Sequence, residues 1–222
     1  MPDGRQIFLG AFGRGRIFDV YSHPSNDTRE PERVLPESSS QRWPCTISPD
    51  GRWLIYAAEG TDRVTDLWLA PLNEPAGGRP LVTTPFREDH ARFSPDGRSL
   101  VYVSDESGRP EVYVRAFPIT PERLQLSTDG GVMPLWATDG RRVFYRTSTA
   151  LMEVGVTRSA AGLAASTPQQ LFRIDPDSRL SDSFVAASND RFVFARTTGQ
   201  PHVGVMLNSS AAMRQLEGIS VR

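Results

Sequence analysis

Residues 94–114 read Ser94-Pro95-Asp96-Gly97-Arg98-Ser99-Leu100-Val101-Tyr102-Val103-Ser104-Asp105-Glu106-Ser107-Gly108-Arg109-Pro110-Glu111-Val112-Tyr113-Val114, and the fold is decided here. Proline presets φ at the first turn position, aspartate bonds main-chain amides ahead of it, and glycine takes the left-handed conformation that closes a tight hairpin. The run from Leu100 to Val103, rich in branched and aromatic residues, predicts a strand. A polar link then leads to a second strand over Glu111 to Val114.

The same punctuation returns as Pro2-Asp3-Gly4-Arg5, Ser48-Pro49-Asp50-Gly51-Arg52, Ala137-Thr138-Asp139-Gly140-Arg141 and, degenerate, Ala187-Ser188-Asn189-Asp190-Arg191. Aligned positions 3, 50, 96, 139 and 189 are separated by 47, 46, 43 and 50 residues. That period is near the ~40–45 of a four-stranded propeller blade and far from the ~20–35 of small solenoid repeats. Each turn is followed by a predicted second strand at 7–9, 53–56, 100–103, 143–145 and 192–194, and by a third at 17–21, 66–69, 111–114, 151–154 and 202–205. A polar fourth strand, suited to an exposed edge, follows at 32–35, 79–82, 123–126 and 169–172. One further strand, the innermost, precedes each turn after the first, at 44–47, 90–93, 133–136 and 183–186.

A helical apolar stripe is visible only weakly, in the tail 209–222. The expected fold is therefore all-β, a β-propeller of four-stranded blades with five present and the first and last incomplete. The blades are placed at 1–40, 41–84, 85–128, 129–173 and 174–208, with a C-terminal tail at 209–222. Trp53, Trp68, Trp136 and the phenylalanines are expected to supply the cores between blades. No inner strand precedes Pro2 and no outer strand follows Val205, so the chain is expected to be a fragment of a larger propeller, to which 218–221 could add one short strand.

Composition removes several chemistries. The 222 residues carry 25 basic and 26 acidic side chains, a formal net charge of -1, which gives no pull toward nucleic acid or anionic lipid. Every basic residue is arginine, as expected of a genome favouring arginine codons, so P-loop, kinase-type and Schiff-base lysines are unavailable. Cys45 is the sole cysteine, which excludes an intramolecular disulfide and any multi-cysteine metal site. Met1 to Arg5 begin no export signal, and no run of 18 apolar residues occurs.

No Gly-x-Ser-x-Gly elbow is present, and His23, His90 and His202 are dispersed without metal-ligand spacing. No cofactor, metal or catalytic residue is expected. The glycine-rich stretch from Gly10 to Arg16 is read as a link between antiparallel strands, because a phosphate cradle needs a helix N-terminus. The repeated aspartates are assigned to their own turns, and the acidic pairs Glu88-Asp89 and Asp105-Glu106 to solvated loops.

Together the Ser-Pro-Asp-Gly-Arg turn, the strand after it, the link Ser104 to Gly108 and the strand Val112-Tyr113-Val114 resemble the TolB-like propeller repeat. The likeness covers residues 1–208 and is strongest over 44–128. The ending Val203 to Asn208 is similar to the last strand of such propellers fused behind bacterial serine/threonine kinases, although Asn208-Ser209 stands where those commonly carry Asn-Trp. The resemblance implies a non-catalytic sensor or scaffold module of a larger bacterial protein, binding a protein or small ligand outside the cytoplasmic membrane. Similar repeats also form the gating propeller of prolyl-oligopeptidase-type serine peptidases, the principal alternative. A third possibility is an enzyme whose carboxylates converge in the channel.

Binding is expected at the rim or channel mouth, where loops vary while strands hold the ring. The candidate residues lie where the chain enters the inner strands: Gln41, Arg42, Arg87, Glu88, Asp89, His90 and Met133, with Trp43 as aromatic anchor. No nucleic acid and no direct membrane insertion by this segment are expected.

Overall fold

The computed structural model describes residues 5–13, 16–159, 162–174, 180–188, 191–198 and 200–207; the turn residues 2–4 and 189–190 and the tail, with its candidate strand at 218–221, lie outside these. The described chain forms five successive antiparallel sheets. The first holds β1 (Gln6–Phe12), β2 (Phe18–Pro24) and β3 (Glu32–Arg33). The second holds β4 (Arg42–Ile47), β5 (Trp53–Glu59), β6 (Thr65–Pro71) and β7 (Arg79–Val82), and the third β8 (Glu88–Phe93), β9 (Ser99–Ser104), β10 (Glu111–Ala116) and β11 (Arg123–Gln125). The fourth is built from β12 (Val132–Trp136), β13 (Arg142–Arg146), β14 (Ala150–Ser159), β15 (Gly162–Ala165) and β16 (Gln169–Arg173), and the fifth from β17 (Leu180–Ser188), β18 (Arg191–Thr198) and β19 (Gln200–Leu207). No helix among the described residues is long and apolar enough to cross a membrane.

The turns are built as their residue types dictate. Gly51 and Gly97 take φ of 70° and 69°, and their amides donate to Ser48 O and Ser94 O. Asp50 Oδ1 and Asp96 Oδ1 each accept from the amide two residues on, at 3.0 Å, and from the Ser48 and Ser94 hydroxyls at 2.5 Å. In the fourth sheet Ala137 replaces the serine, and Asp139 keeps the amide of Arg141 at 2.8 Å. The Gly10–Arg16 stretch does connect antiparallel strands, β1 and β2.

Strand alternation distributes the core among the sheets. Leu54 and Tyr56 face the first sheet, packing with Val20 and Leu35, while Ile55 and Ala57 face the third, packing with Leu100, Tyr102 and Phe93. Val101 and Val103 turn toward Val143, Tyr145 and Val154 of the fourth, whose Phe144 meets Phe192 of the fifth at 4.8 Å between ring centroids. The second, third and fourth sheets thus bury both faces against their neighbours, and the successive first strands β4, β8, β12 and β17 lie side by side. Trp136 is buried, whereas Trp53 and Trp68 pack only partly against these cores.

The fourth sheet contains a hairpin that the turn motif does not announce. The ten-residue β14 pairs with β16 through its first half and with β15 through its second. This extra hairpin accounts for the long 50-residue final step in the repeat.

Acidic groups stand at three of the sheet boundaries, and two of these are joined by hydrogen bonds. Asp19, Asp66 and Glu111 occupy equivalent places in β2, β6 and β10, opposite Ala11, Ala58 and Ser104. Buried Asp19 accepts from Arg42 Nε and Nη2 at 2.9 and 2.7 Å. Glu111 accepts from the Ser127 hydroxyl and, at 2.9 Å, from the Gly130 amide on the link to β12. Facing Asp66 across the second boundary stands Glu88, the register equivalent of Arg42.

Candidate functional site

Three neighbouring inner strands carry a bulge at the same distance from the turn that follows. In β4 the register shifts between Pro44 and Thr46, in β8 between Asp89 and Arg92, and in β12 between Val132 and Leu135. At the second and third of these, His90 and Met133 adopt φ of 53° and 54°. A left-handed backbone costs an ordinary residue about 1–2 kcal/mol. Proline cannot reach that region, so Pro44 makes its bulge another way.

The bulged strands enclose a cavity of about 440 Å³, whose lining includes Trp43 and Cys45 from β4, Asp89, His90 and Arg92 from β8, and Met133 from β12, with Arg87 just ahead of β8. Trp43 is 37% exposed, large for an aromatic side chain on an inner strand. Asp89 is engaged on both oxygens: Arg87 Nε donates to Oδ2 at 2.9 Å, and His90 Nδ1 lies 2.5 Å from Oδ1. The main-chain amide of Arg87 donates to Asp105 Oδ1 at 2.8 Å, which fixes the entry loop against the link of its own sheet. Arg92 donates through Nη1 to the carbonyls of Cys45 and Ala91, bridging β4 and β8. Burial pulls its guanidinium below the usual value and pushes the Cys45 thiol up, against the opposing effect of Arg92 nearby.

Of the eight residues singled out from sequence, Trp43, Arg87, Asp89, His90 and Met133 come together on this cavity. The other three turn elsewhere. Gln41 accepts from the Phe18 amide at 2.6 Å, tying the second sheet to the first. Arg42 is held by Asp19 and by the Pro36 carbonyl at 2.6 Å. Glu88 is not a solvated loop charge but a fully buried group bonded by Thr84 and Ser104, because it begins β8 on the face turned to the second sheet. Arg92 and Cys45 line the cavity without having been expected there. Strict alternation fails across a bulge, which inserts one residue and exchanges the faces of those beyond it. Among the described residues no cluster of three metal-ligating side chains occurs.

No family model matches the chain. A curated relative, Tricorn protease homolog 1 of Streptomyces coelicolor, is 33% identical over 98 residues, which are 42% of this chain and 8% of the relative. TolB from Acinetobacter baumannii superposes with a TM-score of 0.65 at 18% identity, over 93% of this chain and 50% of that one. A TolB from Agrobacterium tumefaciens gives 0.59 at 19% identity, over 78% of this chain and 64% of that one. The chain therefore has the fold of a TolB-like β-propeller, and it spans a small part of the curated relative and half to two thirds of the solved TolB chains.

Proposed function

We propose that this chain is a non-catalytic, protein-binding module of sensor or scaffold type, acting through the cavity between β4, β8 and β12. One observation carries the reading: an exposed tryptophan, the hydrogen-bonded trio Arg87, Asp89 and His90, and two left-handed non-glycine residues converge at equivalent bulges of three neighbouring strands. Backbone outliers persist only where surrounding structure over-determines them, and they concentrate at binding sites. Exposed aromatic and arginine side chains beside a pocket are the usual anchors of protein recognition. Each sheet serves as one blade, with boundaries near residues 40, 84, 128 and 173, in a larger bacterial protein working outside the cytoplasmic membrane.

The test is affinity capture with the wild-type chain, an Arg87→Glu plus Asp89→Arg variant, and Trp43→Ala. Partners captured by wild type are expected to fall about tenfold with either variant, as befits loss of a hot spot. Retention of every partner by both would remove this surface from consideration.

A second reading, the propeller portion of a serine peptidase, is favoured by the likeness to the Streptomyces relative named as a protease homolog. The reading frame separates the two. A downstream Gly-x-Ser-x-Gly segment supports the peptidase, and an upstream kinase domain with a membrane span supports the sensor.

A further inference from the structure

The charges lining the cavity do not balance. Arg87 and Arg92 contribute two cations, Asp89 contributes one anion, and His90 adds no formal charge when counted as neutral. Both Asp89 oxygens are engaged by Arg87 and His90, and Asp105, beside the adjoining smaller cavity, accepts the Arg87 amide. Arg92 is left with main-chain carbonyls alone, and no carboxylate pairs with it among the described residues. Its Nε and Nη2 have no protein partner there. A guanidinium cannot shed its proton, so a partly buried one without a counter-ion remains a standing attraction for an anion. Trp43, Met133 and Leu135 supply apolar wall around it.

Resting on the reading of the cavity as a protein-binding site, we infer that its ligand is a peptide segment presenting a carboxylate side chain to Arg92 and a flanking apolar side chain to Trp43. One unmatched positive charge calls for a singly charged group. A guanidinium fork with two open donor positions suits the two oxygens of a carboxylate.

The experiment titrates the 222-residue chain with two synthetic peptides, Ac-Leu-Glu-Leu-NH2 and its neutral isostere Ac-Leu-Gln-Leu-NH2, following isothermal heat and tryptophan emission. The acidic peptide is expected to bind about tenfold more tightly, the share of a charge-assisted bond. Arg92→Gln is expected to abolish that preference and Arg92→Lys to keep part of it, with thermal unfolding confirming that each variant is folded. Equal affinity for the two peptides, or a preference that survives Arg92→Gln, overturns the carboxylate assignment while leaving the binding surface itself in place. Binding of neither peptide also overturns it. Displacement by inorganic phosphate without any preference between the peptides would assign the site to a free anion and equally sink the proposal.

Discussion

Glu88 begins β8 where Arg42 begins β4, and the reversal of charge has an energetic signature. Its Oε1 accepts from the Thr84 hydroxyl at 2.5 Å and the Ser104 hydroxyl at 3.4 Å, while Oε2 has no partner among the described residues. Burial, reinforced by Asp66 and opposed by those two hydroxyls, lifts the carboxyl from 4.5 to about 7. Below pH 4.5 both folded and unfolded chains hold the proton, and the group has no effect on stability. Between pH 4.5 and 7 the unfolded chain releases it first, so stability falls as pH rises, by up to roughly 3 kcal/mol above pH 7. Asp66 is raised as well, chiefly by burial, and pulls in the same direction. Glu88→Gln is expected to flatten this slope, as read from urea midpoints at a series of pH values. Parallel profiles for variant and wild type would show that the carboxylate ionises in the fold at no cost.

At the level of turns and strands, the Ser-Pro-Asp-Gly hairpin carries much of the local specification. A Cβ built at Gly97 would lie 3.4 Å from Pro49 Cδ, an ordinary contact, so the penalty of a side chain there is conformational. Gly97→Ala is expected to cost about 1–2 kcal/mol by forcing alanine into the left-handed region, with an unchanged denaturant slope. No change in midpoint would mean that the turn relaxes to another type. These same turns made most strands legible from sequence, because those at 48–52, 94–98 and 137–141 are each followed by an alternating run whose two faces enter two different cores. What escaped was the β15 hairpin, announced only by alternation through Val154 and Val156, and the facing of Arg92, reversed by a bulge without a composition signal. That Trp43, Arg87, Asp89, His90 and Met133 gather on one cavity was legible because strand entry places them together. Arg42 and Glu88 were misplaced because their partners, Asp19 and Ser104, lie in other strands.

At the largest scale, four separate apolar cores join five sheets among the described residues, and the Asp19–Arg42 pair fastens the first boundary. Arg42 also reaches the Pro36 carbonyl, so one guanidinium holds both β2 and the link between β3 and β4. Arg42→Leu leaves buried Asp19 only the longer 3.5 Å ion pair with Arg33 and is expected to cost about 3 kcal/mol, whereas the double change Asp19→Leu with Arg42→Leu recovers most of that loss. Equilibrium unfolding of the two single variants and the double variant checks this; additive losses would show that the pair is not coupled. The bulges in β4, β8 and β12 stand at one level, so they form a stepped ledge along the cavity wall and not a smooth face. A ligand entering the cavity meets positions 44, 90 and 133 together, and of these Pro44 and His90 belong to none of the four cores, so they can be exchanged while the buried members of every core stay in place. Selectivity and sturdiness can thus diverge independently in this molecule.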